Sequence, residues 1–203
     1  MKLFKRKTTV ADRAEKQLCI GNEILWSQIF HDTIIGSQWL HEKSFSPGRW
    51  AVGYPALYII YRVLNDTKPL NILEFGLGES TKMTYQYVRN NPEASLTVVE
   101  QDQTWLDFFC TEKYDVREYV TILPITKSLV NGKQSNVYEG LDALLGDTKY
   151  DLVIIDGPWG SPEFSRPQII DIAANNIDQQ NFIILLDDFN RKGEQQSFWR
   201  AFN

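Results

Sequence analysis

The chain has 203 residues, 43% hydrophobic, 13% aromatic and 23% charged, a balance that suits one compact α/β domain and excludes disorder and collagen-like repeats. Its formal net charge is −5, from 21 Lys and Arg against 26 Asp and Glu, so no broad electropositive face exists to neutralise phosphates and nucleic acid is excluded as the main partner. The longest apolar run, Phe182 to Leu186, falls far short of the roughly 20 residues of a membrane span. The basic start (Lys2, Lys5, Arg6, Lys7) is not followed by the apolar core of a signal peptide, and the expected location is cytoplasmic. Cys19 and Cys110, 91 positions apart, have neither metal-ligand nor disulfide spacing and read as buried, reduced thiols.

Between Ala11 and Leu40, apolar residues including Leu18, Leu25 and Ile29 recur at three- and four-residue spacing, which predicts one or two amphipathic helices. They form an N-terminal helical cap, residues 1–54, expected to close over the site with Trp50 and Tyr54. Ser46-Pro47-Gly48 marks a turn, Pro55 opens a helix through Tyr61 and Leu64, and Asn65 to Pro69 ends it. Beyond Pro69 short apolar runs alternate with helical patterns, the signature of parallel strands joined by crossover helices. Five strands are predicted, at Asn71–Phe75, Leu96–Glu100, Val120–Leu123, Asp151–Asp156 and Phe182–Asp187. Helices are predicted near 80–90, 104–113, 136–145 and 166–176, with a last one at Glu194–Phe202.

The segment Asn71-Ile-Leu-Glu-Phe-Gly-Leu-Gly-Glu-Ser-Thr-Lys runs from a strand into Glu74, then Gly76 and Gly78, then a helix. Such glycines allow a tight turn and close approach of a ligand, and the helix N-terminus favours an anionic group. Glu100 ends the second strand 22 positions after Gly78, where a carboxylate can accept both hydroxyl hydrogens of a ribose. A dinucleotide fingerprint needs a third glycine where Thr81 stands, which counts against NAD. An acid followed by glycines two and four positions on is instead the S-adenosylmethionine (SAM) pattern, and Glu74, Gly76 and Gly78 satisfy it, with Ser80 in place of its usual third glycine.

Through Glu74-x-Gly76-x-Gly78, Glu100 and Asp156-Gly157-Pro158-Trp159, residues 50–190 resemble the class I SAM-dependent methyltransferases. Ile72-Leu-Glu-Phe-Gly-Leu-Gly, Glu100-x-Asp102-x-x-Trp105 and the later Asp-Gly-Pro are similar to the plant glucuronoxylan methyltransferase family and its bacterial relatives. The resemblance implies a cofactor site made by Glu74, Gly76, Gly78, Ser80 and Glu100, and methyl transfer to an oxygen of a small-molecule or carbohydrate acceptor. It also implies a Rossmann-like, doubly wound, mostly parallel sheet of five strands in order 3-2-1-4-5, forming a core over residues 55–203.

Asp156 stands at the carboxyl end of the fourth predicted strand, where open α/β sheets bind ligands, and is expected to face the acceptor. Asp188 follows the fifth strand within Asp187-Asp188-Phe189-Asn190; Asp156 and Asp188 are the candidate catalytic residues. Converging carboxylates suit magnesium or manganese, and the arrangement is similar to metal-dependent catechol-type O-methyltransferases, although Asn190 is not adjacent to Asp188. Asp102 and Trp105 read as helix cap and packing, with Trp105 beside the adenine as the alternative, and Trp159 as acceptor wall or packed lid. His41 is an alternative base, and Arg166 and Lys127 either steer an anionic acceptor or are solvated. The edge beyond the fifth strand is expected to be covered by the N-terminal segment, the last helix or a second subunit in a homodimer. The competing functions are an NAD-dependent oxidoreductase and a non-catalytic SAM- or nucleotide-binding module.

Overall fold

The computed structural model describes residues 10–48, 51–111 and 114–203; the basic N-terminal residues and Trp50 lie outside them. A single helix, α1 (Val10–Ile34), is followed by an extended strap and by α2 (Tyr54–Thr67), which has Pro55 in its first turn and ends on the left-handed Lys68. The chain then alternates through β1 (Asn71–Phe75), α3 (Glu79–Asn90), β2 (Ser95–Glu100), α4 (Gln103–Phe109) and β3 (Val120–Ile122). A hairpin of β4 (Ile125–Val130) and β5 (Lys133–Tyr138) comes next, then α5 (Leu141–Leu145), β6 (Leu152–Ile155), α6 (Ile169–Asn175), β7 (Ile183–Leu186) and α7 (Lys192–Phe202).

The central sheet has the order β3-β2-β1-β6-β7, and all its pairings are parallel. The five predicted strands are β1, β2, β3, β6 and β7 and stand in the expected sequence relative to one another, but 3-2-1-4-5 is corrected as an order of the chain's strands: β4 and β5, which were not expected, come between the third and fourth predicted strands and pair only with each other, antiparallel, as a separate sheet. Residues 136–138, expected to be helical, are the end of β5. The hairpin turns on Asn131 (φ 50°) and Gly132 (φ 73°), the left-handed pair that a two-residue turn requires.

Alternation along the strands divides the core into two layers. Ile72, Leu96, Val98, Leu152 and Ile154 face a cluster completed by Phe30, Leu57, Ile60, Leu64, Met83 and Leu106, from α1 to α4. Leu73, Phe75, Val99, Val153 and Ile155 face the opposite cluster with Tyr138, Leu141, Leu145, Ile169 and Ile172. The cap belongs to the first layer, since Phe30, Ile34, Leu40, Phe45 and Val52 are buried in it. Truncating a fully buried Leu or Ile in either layer to Ala costs about 2–5 kcal/mol.

At the β7 edge, Phe198, Ala201 and Phe202 of α7 pack back on the second layer, and Phe182 stacks on Phe202 with ring centroids 6.2 Å apart. Among the described residues no strand pairs with the outer edge of β7. Cys19, expected to be buried, is exposed on α1, and both cysteines are free thiols. No helix among the described residues is long and apolar enough to cross a membrane.

Candidate functional site

The carboxyl ends of β1, β2, β6 and β7 form one ledge, and two glycines bring its two halves together. Gly76 has φ +93°, and a Cβ there would lie 3.1 Å from the Asp156 carbonyl oxygen. A Cβ on Gly157 would lie 2.6 Å from the Tyr138 hydroxyl and 3.0 Å from the Gly76 nitrogen. The turns after β1 and β6 thus touch backbone to backbone, so Gly76 serves packing between the turns. Gly78 is different: a Cβ on it meets no heavy atom within 4 Å, and its backbone is extended (φ −166°). The open space expected of a ligand-facing glycine lies at Gly78.

Glu74 and Ser80 do not face that space. Glu74 points from β1 into the first layer, fully buried, and accepts hydrogen bonds from Ser80 Oγ, from Thr81 Oγ1 (3.0 Å) and from Thr84 Oγ1 (2.8 Å). Thr81 Oγ1 in turn accepts from the Gly78 N–H at 3.0 Å. The acid and the hydroxyls therefore tie the first turns of α3 to β1 and shape the loop from beneath. In this structure both side chains support the loop from within the protein. Thr81 is fully buried and fills the helix-to-strand contact that a third glycine would leave bare.

Burial drives the Glu74 carboxyl up from 4.5 to about 7 against the pull of its three hydroxyl partners. A carboxyl raised on folding contributes stability in full below about pH 4.5, and that contribution is lost as pH rises through about 7, by about 3 kcal/mol at most. Thermal unfolding at pH 5.5 and 7.5 should show a smaller pH difference for Glu74→Gln than for the unmodified chain. An equal difference in both would assign the pH response to other groups.

Glu100 is buried at the end of β2. Its Oε1 accepts from the backbone N–H groups of Gln101 (2.7 Å) and Asp102 (3.0 Å), and its Oε2 from the Leu77 N–H at 2.9 Å. A carboxylate has about four acceptor sites, so Oε2, bonded to the residue next to Gly78, retains one. Asp102 caps α4 by accepting from Thr104 N and Trp105 N. The Trp105 indole N–H donates to the Leu77 carbonyl at 2.7 Å, and its ring, 39% exposed, stacks on Phe108. The glycine loop is thus held from β2 by Glu100 and from α4 by Trp105.

On the other half of the ledge, Asp156 follows β6, with its side chain 21% exposed. Burial raises its carboxyl to about 7, helped by the charge of Asp187 and opposed by Arg166. Asp156, Asp187 and Asp188 each offer an oxygen within 4.8 Å of the others. Arg166, expected to be a solvated or steering charge, is only 5% exposed and lies within hydrogen-bond distance of Asp156 Oδ1 and Asp188 Oδ2, 3.2 Å from each. Arg191 Nη1 lies 2.7 Å from the same Asp188 oxygen. Asp188 is therefore committed to two guanidinium groups.

The hairpin supports the loop after Asp156: Asn136 Nδ2 donates to the Trp159 carbonyl at 2.7 Å, and Asn136 N donates to Ser161 Oγ at 3.0 Å. The Trp159 ring itself is 69% exposed, which removes the packed-lid reading. Lys127 reaches only Asn136 Oδ1. His41 pairs with Asn90 at the far end of α3, about 18 Å along the helix from Gly78, and His31 meets the Ser27 carbonyl and the ring of Phe30 on its own helix and the ring of Tyr54 on α2, so among the described residues neither histidine contacts the ledge. The strap of the cap does come close, running along α3 from Trp39 at Asn90, past Glu42 at Gln86, to Ser46, whose N–H donates to Glu79. Arg166 and Asp187 are the residues the sequence reading missed or undervalued, and left-handed backbone at Arg166 (φ 51°) and Asp188 (φ 59°) is the structural mark around them.

No family model and no curated protein matches this chain. Among solved structures, the SAH-bound methyltransferase PaMTH1 of Podospora anserina is similar, with 18% sequence identity, a TM-score of 0.45, and coverage of 92% of this chain and 73% of that one. At that identity and score the likeness assigns no activity, and the geometry of the ledge has to supply the reading.

Proposed function

We propose that this chain is a SAM-dependent methyltransferase acting on an oxygen of a small-molecule or carbohydrate acceptor. The observation that carries the reading is the open space at Gly78, on a loop that Glu100 of β2 holds at Leu77 and that meets the turn of the partly exposed Asp156 at the Gly76–Gly157 contact. The site suits SAM: the Gly78 face admits a close-lying methionine portion, the α3 N-terminus favours its carboxylate, and the remaining Glu100 acceptor meets a ribose hydroxyl. Thr81, buried where a dinucleotide site carries glycine, supports this assignment over NAD.

When bound, SAM supplies an already activated methyl group. The chain's own part is to hold the acceptor oxygen in line, exclude water and take up the hydroxyl proton. We assign that last task to Asp156, since a carboxyl raised to about 7 can accept a proton at neutral pH. The exposed Trp159 indole, on a loop fixed by the hairpin, offers an apolar face to the acceptor. Incubation with methyl-labelled SAM and a panel of sugars, uronates and phenols should yield labelled ether product. Transfer to nitrogen or carbon acceptors alone would overturn the oxygen assignment, and cofactor binding without product across the panel would favour a binding module.

A further inference from the structure

The carboxylates at the ends of β6 and β7 invite a divalent metal, and the geometry around them does not fit one. We propose that the Arg166 guanidinium is the resident cation of the Asp156–Asp187–Asp188 cluster, a positioning residue standing where a metal ion would have to bind. The assignment is independent of which cofactor the ledge holds.

Every nitrogen of this guanidinium is engaged. Nε faces the Pro158 carbonyl at 3.4 Å, and Nη1 faces the carbonyls of Ile155 at 3.4 Å and Asp187 at 3.0 Å. Nη2 bridges Asp156 Oδ1 and Asp188 Oδ2, at 3.2 Å from each. An ion bonded to those two oxygens at the roughly 2.0–2.1 Å of magnesium would have to share both with Nη2, setting like charges a few ångström apart over the same two oxygens. Arg191 places a second positive charge on the same Asp188 oxygen at 2.7 Å.

The backbone is arranged to deliver this group. Arg166 adopts φ 51°, a left-handed conformation uncommon outside glycine. It is held there by neighbouring bonds, from Ser165 N to the Gly193 carbonyl (3.0 Å) and from Ile169 N to the Arg166 carbonyl (3.3 Å). The guanidinium thus fixes the direction of the Asp156 carboxylate and joins the β6 and β7 ends as a bridging metal would, but through directed hydrogen bonds.

Manganese binding followed by electron paramagnetic resonance, alongside thermal unfolding, tests this on the full chain. The unmodified protein should leave Mn²⁺ in its free form, with no change in melting. Arg166→Met, which keeps the stem and removes the charge, should take up Mn²⁺ more than about tenfold more tightly than the unmodified protein, since loss of a unit charge a few Å away outweighs one factor of ten. Its melting temperature should rise with Mn²⁺, and adding Asp187→Asn should cancel both gains. A purely structural arginine would produce no metal site when removed. Saturable Mn²⁺ binding by the unmodified chain that Asp187→Asn abolishes would overturn the proposal, as would a folded Arg166→Met with no gain. If Arg166→Met does not fold, Arg166→Lys keeps the charge and should still exclude Mn²⁺; uptake by that variant would equally overturn it.

Discussion

Asp156→Asn is expected to cut turnover by about 10²–10⁴-fold, the range of a positioned acid–base group, while leaving SAM affinity nearly unchanged. The separation follows from the ledge: Asp156 belongs to the β6–β7 half, and the Gly78 space to the β1–β2 half. Asparagine keeps the shape and can still meet Arg166 through its carbonyl oxygen, but it cannot accept the acceptor's proton. Because burial and Asp187 raise the Asp156 carboxyl to about 7, the base form appears as pH rises, so the rate of the unmodified enzyme should climb through about pH 7. The residual rate of Asp156→Asn should lack that inflection. Single-turnover rates across pH, measured with SAM saturating, check both statements; full activity of the variant on its true acceptor would remove the assignment.

Gly78→Val should abolish cofactor binding, lowering SAM affinity by at least about 100-fold, without unfolding the chain. The fold tolerates the side chain, since a Cβ at Gly78 meets no protein atom within 4 Å and the backbone there is extended. A ligand lying against Gly78 would collide with the added methyl groups, at the cost expected of overpacking. Glu100→Ala is a less clean test, because it strands the backbone N–H groups of Leu77, Gln101 and Asp102 and loosens the loop along with any ribose contact. Calorimetry paired with circular dichroism separates lost binding from lost fold.

What was legible in the sequence followed from burial. Runs such as Leu152–Ile155, buried throughout, carry their own signal, and all five strands of the central sheet lie within segments marked by apolar runs. The β4–β5 hairpin escaped because β4 is mostly exposed, so no apolar pattern marks it. Asn131-Gly132 was nonetheless a strong hairpin signal and went unused. Composition and spacing marked a strand-to-helix turn between β1 and α3 but could not divide its glycines: Gly76 is required by the Asp156 backbone and Gly78 borders open space, a difference that only the contact between the β1 and β6 turns reveals. Nor could spacing show that Glu74 and Ser80 bond to each other inside the protein, since that depends on which face of β1 a residue occupies. Arg166 was out of reach, because it meets Asp156 ten positions away and Asp188 twenty-two positions away only through a left-handed turn.

The central claim is that SAM lies between Gly78 and Glu100. Titration of the purified chain with SAM, S-adenosylhomocysteine and NADH by isothermal calorimetry tests it most directly. The account predicts saturable one-site binding of SAM and S-adenosylhomocysteine, absent in Gly78→Val, and no binding of NADH. Saturable NADH binding with no heat from SAM would contradict it.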